Sequence, residues 1–201
     1  SLVEGLMAAL WRDALGVDVA VPFERLRYRE AMDRFGSDKP DLRFDFPIVD
    51  VSELAAGSGF KVFEDTVAGG GVVRLLNYAG GGALSRREQD ELEALAKRYG
   101  AKGLARAKVA QDGLEGGPSK FLAADRQRRL IELAGGAEGD LLCFVADRRE
   151  TASRALGALR SRLGGEWLQR NPEAAKVWRF LWVTEFPLFE RDPATGQVAP
   201  A

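Results

Sequence analysis

The densest group of polar side chains in the sequence lies in the short segment from Ser37 to Arg43. Two acids and two bases, Asp38, Lys39, Asp41 and Arg43, stand within six positions there. A salt-bridged surface loop is the simpler interpretation of this pattern. A charged loop also suits the positioning of a charged ligand or of a neighbouring catalytic segment, since binding residues concentrate in loops that a rigid scaffold holds. These four side chains are therefore our candidate ligand-positioning residues.

Arginine clusters farther along the chain are a second source of chemistry, because the guanidinium group matches the geometry of phosphate oxygens. The clusters are Arg86 and Arg87; Arg126, Arg128 and Arg129; Arg148 and Arg149; and Arg154, Arg160 and Arg162. Acidic residues are interleaved through these runs, so a solvated helix face also explains them, and more simply. The candidates for contact with RNA are Arg86, Arg87, Arg126 and Arg129.

The absence of histidine from the 201 residues is the most restrictive fact in the composition. It excludes Ser-His and Cys-His nucleophile pairs and histidine metal ligands. The single cysteine, Cys143, lies in an apolar run, which indicates a buried structural thiol without a partner for a disulfide or a metal site. Spacing singles out no pair of carboxylates. We therefore predict no catalytic residue and no metal site.

Glycine-rich and aromatic stretches raise two further ligand hypotheses. Backbone N–H groups at glycine turns bind anions, but neither 68–71 nor 80–82 has the spacing of a known phosphate-binding loop. Trp178, Phe180 and Trp182 have rings that stack on bases in some proteins, yet their alternation places them on one strand face, where core packing is commoner. Flexible turns and core packing are the favoured interpretations.

Charge and hydropathy limit the class of protein. Twenty-nine basic and thirty acidic residues give a formal net charge of -1, so the chain lacks the basic excess of a stand-alone nucleic-acid-binding protein. No apolar stretch reaches the roughly 18 to 20 residues that span a bilayer, and no secretory signal pattern is present, so we expect a cytoplasmic protein without a membrane partner. The chain opens inside an amphipathic helical pattern at Leu2, Leu6 and Leu10, which predicts a longer parent chain.

Helices and strands are predicted to alternate and to position these residues, as is typical of an α/β layer. Helices are predicted to about Leu15 and over 29–35, 51–56, 86–99, 120–133 and 151–163; strands over 24–28, 60–63, 71–76, 104–109, 141–146 and 178–186; and a loop over 113–118. Ser85 and Glu88 have the spacing of a capping box at a helix start. Glycines at 164 and 165 are expected to end the helix that begins at Thr151.

Five sequence motifs resemble one known family, in the same order as in that family. From Phe23 to Arg43 a tyrosine, a helix and Gly-Ser-Asp-Lys-Pro-Asp-Leu-Arg follow one another. Downstream come Tyr-Gly-Ala-Lys-Gly-Leu-Ala at 99–105, Gly-Asp-Leu-Leu at 139–142, Leu-Gly-Ala-Leu-Arg at 156–160 and Trp-Val-Thr-Glu-Phe-Pro-Leu-Phe-Glu at 182–190. The set resembles bacterial-type aspartyl-tRNA synthetases over essentially the whole chain.

The resemblance implies a fold of class α/β (α+β) with three parts. Residues 1–58 and 166–201 are similar to segments of the antiparallel-sheet core of a class II synthetase. Residues 59–165 are similar to the GAD-type insertion domain, an α/β domain of alternating strands and helices that these enzymes share with a subunit of an archaeal tRNA amidotransferase. We expect exposed apolar edges on the core segments, and self-association through them, because their usual neighbours are absent from this sequence.

The function implied by the resemblance belongs to the parent enzyme, an aspartate-tRNA ligase that uses ATP and magnesium. Its partners are aspartate tRNA, with asparagine tRNA left open, and a second copy of itself in a homodimer. The sequence has no arginine-bearing second motif and no glycine-rich third motif, so the ATP- and aspartate-binding residues lie outside it and the segment alone is expected to be inactive. The alternative is a stand-alone module that binds tRNA or a protein and is related to the amidotransferase subunit.

Overall fold

The structure is a computed structural model that describes residues 1–191 and 196–200. Its helices are α1 Leu2–Leu15, α2 Tyr28–Phe35, α3 Ser52–Ala55, α4 Lys61–Ala68, α5 Arg86–Arg98, α6 Ala124–Ala134, α7 Arg149–Arg170 and α8 Pro172–Ala175, with single 3-10 turns at Gly81–Ala83 and Ser119–Phe121. Its strands are β1 Glu24–Arg27, β2 Ile48–Asp50, β3 Val72–Tyr78, β4 Ala105–Ala110, β5 Gly113–Glu115, β6 Leu141–Asp147, β7 Leu181–Thr184, β8 Phe189–Arg191 and β9 Val198–Pro200.

A five-stranded antiparallel sheet in the order β2-β3-β6-β4-β5 forms the main core. In β3 and β6 all but one residue of each strand is buried, because helices cover both faces of the sheet. Leu76 and Val145 face α5 and α7, whereas Leu75 and Phe144 face α3, α4 and α6. Side chains of successive strand residues point to opposite faces, so one apolar run supplies both layers of the core.

A second, smaller sheet pairs β1 with β7 in parallel, with Arg25 opposite Trp182. Helix α1 packs on it through Trp11, whose ring meets Trp178 and Phe180 edge-on at 5.3 and 4.9 Å between ring centroids. Phe180 also stacks on Phe23 at 5.1 Å. These rings therefore pack on one another, but Trp178 is 51% exposed and both Trp178 and Phe180 precede β7, so the predicted core packing on one strand face is found only in part. That the small sheet belongs to a larger antiparallel one stays a prediction.

Two local predictions are wrong, and tertiary packing explains both. The segment 60–63, predicted as a strand, leads into α4, where Phe60 and Phe63 share a helix face with ring centroids 4.8 Å apart and Phe63 packs on Phe144 at 5.6 Å. Helix α7 does not end at the glycines but runs to Arg170. A side chain at Gly164 would collide with the ring of Phe44, so that glycine serves a close approach rather than a helix end.

Smaller differences concern two short strands and the ends of two elements. Strand β5 lies inside the predicted loop 113–118, and the sequence does not predict β2. Helix α6 begins at Ala124 rather than at 120. The predicted strand 178–186 is confined to β7. The capping box is confirmed, since the Ser85 hydroxyl accepts from the Glu88 backbone N–H at 3.3 Å and the Glu88 carboxylate accepts from the Ser85 N–H at 2.8 Å.

Three further observations concern the remaining predictions about the fold. The division at residues 59 and 165 stays a prediction; β2 of the main sheet precedes the first of these positions, and α7 crosses the second. Cys143 is buried as predicted, and burial raises the pKa of its thiol to about 12. Across the described part of the chain, no helix combines the length and apolar character that crossing a membrane requires.

Candidate functional site

The charged loop 37–43 begins where α2 ends on α7. Gly36 closes α2 in the left-handed region at φ 67°, and its backbone lies directly on Gly157 of α7. A Cβ atom at Gly157 would stand 2.5 Å from the carbonyl oxygen of Gly36, which is too close for any side chain. Two glycines thus let the helices touch through their backbones and fix the position from which the loop departs.

Arg160 of α7 holds the far end of the loop from beneath. Only 2% of Arg160 is exposed, and its Nε donates to the carbonyl of Phe46 at 2.9 Å while Nη2 donates to those of Asp41 at 2.9 Å and Phe44 at 3.1 Å. Its guanidinium also lies over the rings of Phe35 and Phe44, at 4.6 and 4.5 Å from the centroids. Desolvation lowers the pKa of Arg160 to about 10, so the group stays charged near neutral pH.

The four candidate loop residues fall into two pairs. Arg43 grips the Asp41 carboxylate with Nε at 3.0 Å from Oδ1 and Nη2 at 2.7 Å from Oδ2, and its Nη1 donates to the carbonyl of Ala175 at 3.1 Å. The hydrogen bonds from Arg43 lower the pKa of the Asp41 carboxyl. Asp38 and Lys39 are exposed at the tip of the loop. Asp41 and Arg43 therefore stabilise the loop, and Asp38 and Lys39 face solvent.

An ion cluster around buried Arg74, which the sequence analysis missed, ties α2 to the main sheet. Arg74 of β3, with a side chain 2% exposed, donates to the backbone carbonyl of Asp33 at 2.6 Å and to its carboxylate at 2.7 Å. Arg149 reaches the same carboxylate at 3.0 Å, and both arginines lie within 4 Å of Asp50. An arginine in the middle of the apolar strand Val72–Tyr78 is the signal that points to such a cluster.

The arginines proposed to contact RNA have different environments. Arg126 is half-buried and donates to the carbonyls of Leu54 at 2.9 Å and Ala56 at 2.6 Å, so it ties α6 to α3. Arg87 and Arg129 are exposed and form ion pairs within their own helices, with Glu91 at 3.3 Å and Glu132 at 2.6 Å. Arg86 is exposed and lines a groove. Arg160, from the last of the clusters, is buried and not a surface residue.

That groove has a volume of about 810 Å³ and lies between the start of α5, strand β4 and the helical turn Ser119–Phe121. Arg86, Arg106, Lys108 and Lys120 supply its basic side chains, and Phe60 and Phe121 supply its aromatic rings. Among residues 1–191 and 196–200, no group of three or more acidic or cysteine side chains is placed to hold a metal ion.

Comparison with known proteins shows which proteins this chain is similar to. A family model described as the GAD domain matches residues 63–156. An aspartate-tRNA(Asp/Asn) ligase of Moorella thermoacetica is 52% identical over 189 residues, 94% of this chain and 31% of the relative. The corresponding ligase of Bacillus subtilis is 47% identical over 198 residues, 98% of this chain and 33% of the relative. The chain is homologous to a segment of bacterial aspartate-tRNA ligases that contains a GAD domain. This confirms the resemblance.

The GAD match has clear limits in the structure. It runs from Phe63 in α4 to Leu156 in α7, so it includes four strands of the main sheet and every residue that lines the groove beside α5 except Phe60. The charged loop 37–43 lies outside it, and so do Gly157 and Arg160 of α7, on which the loop rests, because the match ends at residue 156. The chain spans about a third of the length of the curated relatives it matches.

Proposed function

We propose that this chain is part of an aspartate-tRNA ligase, and that the whole enzyme activates L-aspartate with ATP and magnesium and transfers it to tRNA. The supporting observation is identity of 43% to 52% with such ligases over 94% to 98% of the chain. A relative from Ruminiclostridium cellulolyticum, named an aspartate-tRNA ligase, is 46% identical over 190 residues, 94% of this chain and 32% of the relative. Because some relatives carry the Asp/Asn name and others do not, both aspartate and asparagine tRNA remain candidate substrates.

The chain's own contribution to that reaction is structural support and positioning. Aminoacyl transfer of this kind depends on orientation and on stabilisation of phosphate charge, which rigid positioning of loops supplies. The hydrogen bonds from Arg160 to the carbonyls of 41, 44 and 46 hold the loop on α7. Asp38 and Lys39 then project from a fixed frame as ligand-positioning groups, and Asp41 and Arg43 stiffen that frame.

The remaining parts of the proposal concern the whole enzyme. It acts in the cytoplasm as a homodimer, and the residues that hold ATP, magnesium and aspartate lie outside this chain. Within it, 1–58 and 166–201 belong to the catalytic core and 59–165 form the inserted domain. The segment alone is then inactive in aminoacylation. The apolar side chains of Leu2, Leu6 and Leu10, which are exposed on α1, support the absence of a neighbouring part of the core from this segment.

The test is a chimera in which this chain replaces the matching segment of the Bacillus subtilis relative. Aspartylation of tRNA with labelled aspartate is measured for the chimera and for the chain alone. We expect the chimera to charge aspartate tRNA and the chain alone to charge none. The matched control carries the Moorella thermoacetica segment in the same place.

If the control chimera is active and the chimera with this chain folds but charges nothing, the proposal is wrong. Aspartylation of tRNA by the chain alone would contradict the proposal that the segment is inactive by itself. Binding of tRNA by the chain beside an inactive chimera would favour the stand-alone module instead.

A further inference from the structure

The groove beside α5 lies where strand β4 lacks a strand partner along part of its length. β4 pairs with β6 from Ala105 to Lys108, but with β5 only from Lys108 to Ala110. Along its first residues, the second edge of β4 therefore faces the 116–121 segment instead of a strand. The groove of about 810 Å³ opens between that segment and the start of α5. Its position is fixed by the sheet, which makes it a preformed site.

Charge in the groove differs from charge over the chain as a whole. Four basic and two acidic side chains line it, whereas the whole chain has a formal net charge of -1. Arg106 is neutralised, since it pairs with Glu93 at 3.3 Å and Asp90 at 3.7 Å and donates to the carbonyl of Gln89. The other three basic residues are Arg86, Lys108 and Lys120, and none forms an ion pair within 4.0 Å with any residue whose position is described.

Three unpaired cations around one groove complement an anion that carries several charges. Ion pairs elsewhere on the surface show that acids are available in this chain: Arg87, the next residue to Arg86, is paired with Glu91. Other surface cations also lack an ion pair with a described residue, so what distinguishes Arg86, Lys108 and Lys120 is that all three line the same groove. Phosphate groups spaced along a nucleic-acid strand match such a set, because each cation neutralises one phosphate and releases its counterion.

An aromatic platform stands beside these cations. Phe121 is 45% exposed, and its ring centroid lies 5.4 Å from that of Phe60 at an interplanar angle of 39°. Phe60 is in turn fixed edge-on against buried Phe63 at 4.8 Å, so the exposed ring is anchored to the core. The Lys120 ammonium is 5.7 Å from the Phe121 centroid. The ammonium lies over the ring, so a base that stacks on this exposed ring would take the place of the flexible lysine side chain and leave its charge to a phosphate.

We infer that this groove binds an unpaired stretch of RNA, with phosphates at Arg86, Lys108 and Lys120 and a base stacked on Phe121. The inference rests on the proposed function, since the tRNA of the parent reaction is the RNA available to it. Unpaired RNA is favoured over a duplex because the bases of a duplex are stacked on one another and leave no face for Phe121. It is favoured over an acidic peptide because a peptide of acids has no planar group for that ring.

The test uses the whole chain and fluorescence anisotropy with a labelled unpaired RNA of about eight nucleotides, a length within the range of single-strand sites. A duplex of the same sequence and polyglutamate serve as competitors, across a salt series. Arg86→Glu is compared with Arg87→Glu, which makes the same change in charge one residue away and outside the groove. We expect the first to weaken binding about tenfold and the second less than about twofold.

The aromatic contact has its own pair of variants. Phe121→Ala is expected to weaken binding of unpaired RNA about tenfold and to leave weak duplex binding unchanged, whereas Phe121→Tyr retains binding. Tyr99→Ala, at the opposite end of α5 and half exposed, is the control and is expected to bind as the parent chain does. Thermal unfolding of every variant shows whether its fold is intact.

Four results would overturn the inference. These are no binding by the parent chain, equal losses for Arg86→Glu and Arg87→Glu, competition by duplex RNA as strong as by unpaired RNA, and displacement by polyglutamate as effective as by RNA. The chimera separates this inference from the proposed function. If the chimera charges tRNA but the groove variants bind RNA as the parent chain does, only the inference about the groove is wrong. If the chimera is inactive but RNA binding depends on the groove residues, only the ligase assignment is wrong.

Discussion

The main sheet and the small β1-β7 sheet differ in how completely their side chains are buried. β3 and β6 are covered on both faces, with Leu75, Leu142 and Phe144 at most 1% exposed. All four residues of β7 are only partly buried, and on α1 Leu2 and Leu6 are 91% and 57% exposed. The main sheet contains its own core, whereas the small sheet presents an apolar helix face to solvent. Exposed apolar side chains are thus found on helix α1, and exposure at the edges of the core strands stays a prediction.

The largest expected effect is in the main sheet. Phe144→Ala removes a ring that packs on Phe63, and we expect a loss of about 3 to 5 kcal/mol in the free energy of unfolding. Leu2→Ala, on the exposed face of α1, is expected to change it by less than about 0.5 kcal/mol. Urea unfolding followed by circular dichroism measures both. Equal losses would contradict the contrast between the two regions.

The next largest expected effect on stability is at Arg160, which holds the charged loop 37–43 on α7. Arg160→Leu leaves the carbonyls of 41, 44 and 46 without their donor, and we expect a loss of about 2 to 4 kcal/mol with faster amide exchange over 37–46. Arg154→Leu breaks only a surface ion pair with Glu150 in the same helix, which is worth less than about 0.5 kcal/mol. Hydrogen exchange that is unchanged in the loop of Arg160→Leu would show that the arginine does not hold it.

We expect self-association of the chain to depend on the exposed apolar face of α1, beside the small sheet, and not on the main sheet. Leu6 and Leu10 stand one turn apart on the exposed face of α1, so burial of this face between two copies is favourable. Replacing both with lysine is expected to weaken self-association about tenfold, measured by sedimentation velocity. Val62→Lys, at an exposed apolar residue of α4, is the control and should leave it unchanged. Equal weakening by the control would place the contact elsewhere.

The smallest expected effect is a pH dependence in the charged loop. Arg43 lowers the pKa of Asp41 in the folded chain, so this carboxylate contributes stability that is present above its unfolded pKa of about 3.9 and is lost as pH falls through the lower folded value. Asp41→Asn should therefore be less stable than the parent chain near pH 7, and the difference should shrink below about pH 4. Unfolding midpoints at both pH values test this, with Asp38→Asn at the exposed tip as control.

Some elements of both regions follow from short stretches of sequence. The start of α5 is set by Ser85 and Glu88, whose hydrogen bonds span three residues, and the runs of β3 and β6 are apolar enough to indicate burial. The charged loop was placed correctly because Gly36 ends α2 and no periodicity follows. Asp38, Lys39, Asp41 and Arg43 were recognised as a group, but not their division into an ion pair and an exposed tip.

The sequence by itself determined the order of most elements, the buried cysteine and the family, because these depend on local caps, apolar runs and motifs of a few residues. Tertiary structure alone decided that 60–63 turns into a helix, that α7 passes through Gly164, that Arg160 is buried, and that three cations and two rings share one groove. The physical reason is separation along the chain. Arg160 bonds carbonyls 114 to 119 residues away, and no local pattern encodes such contacts.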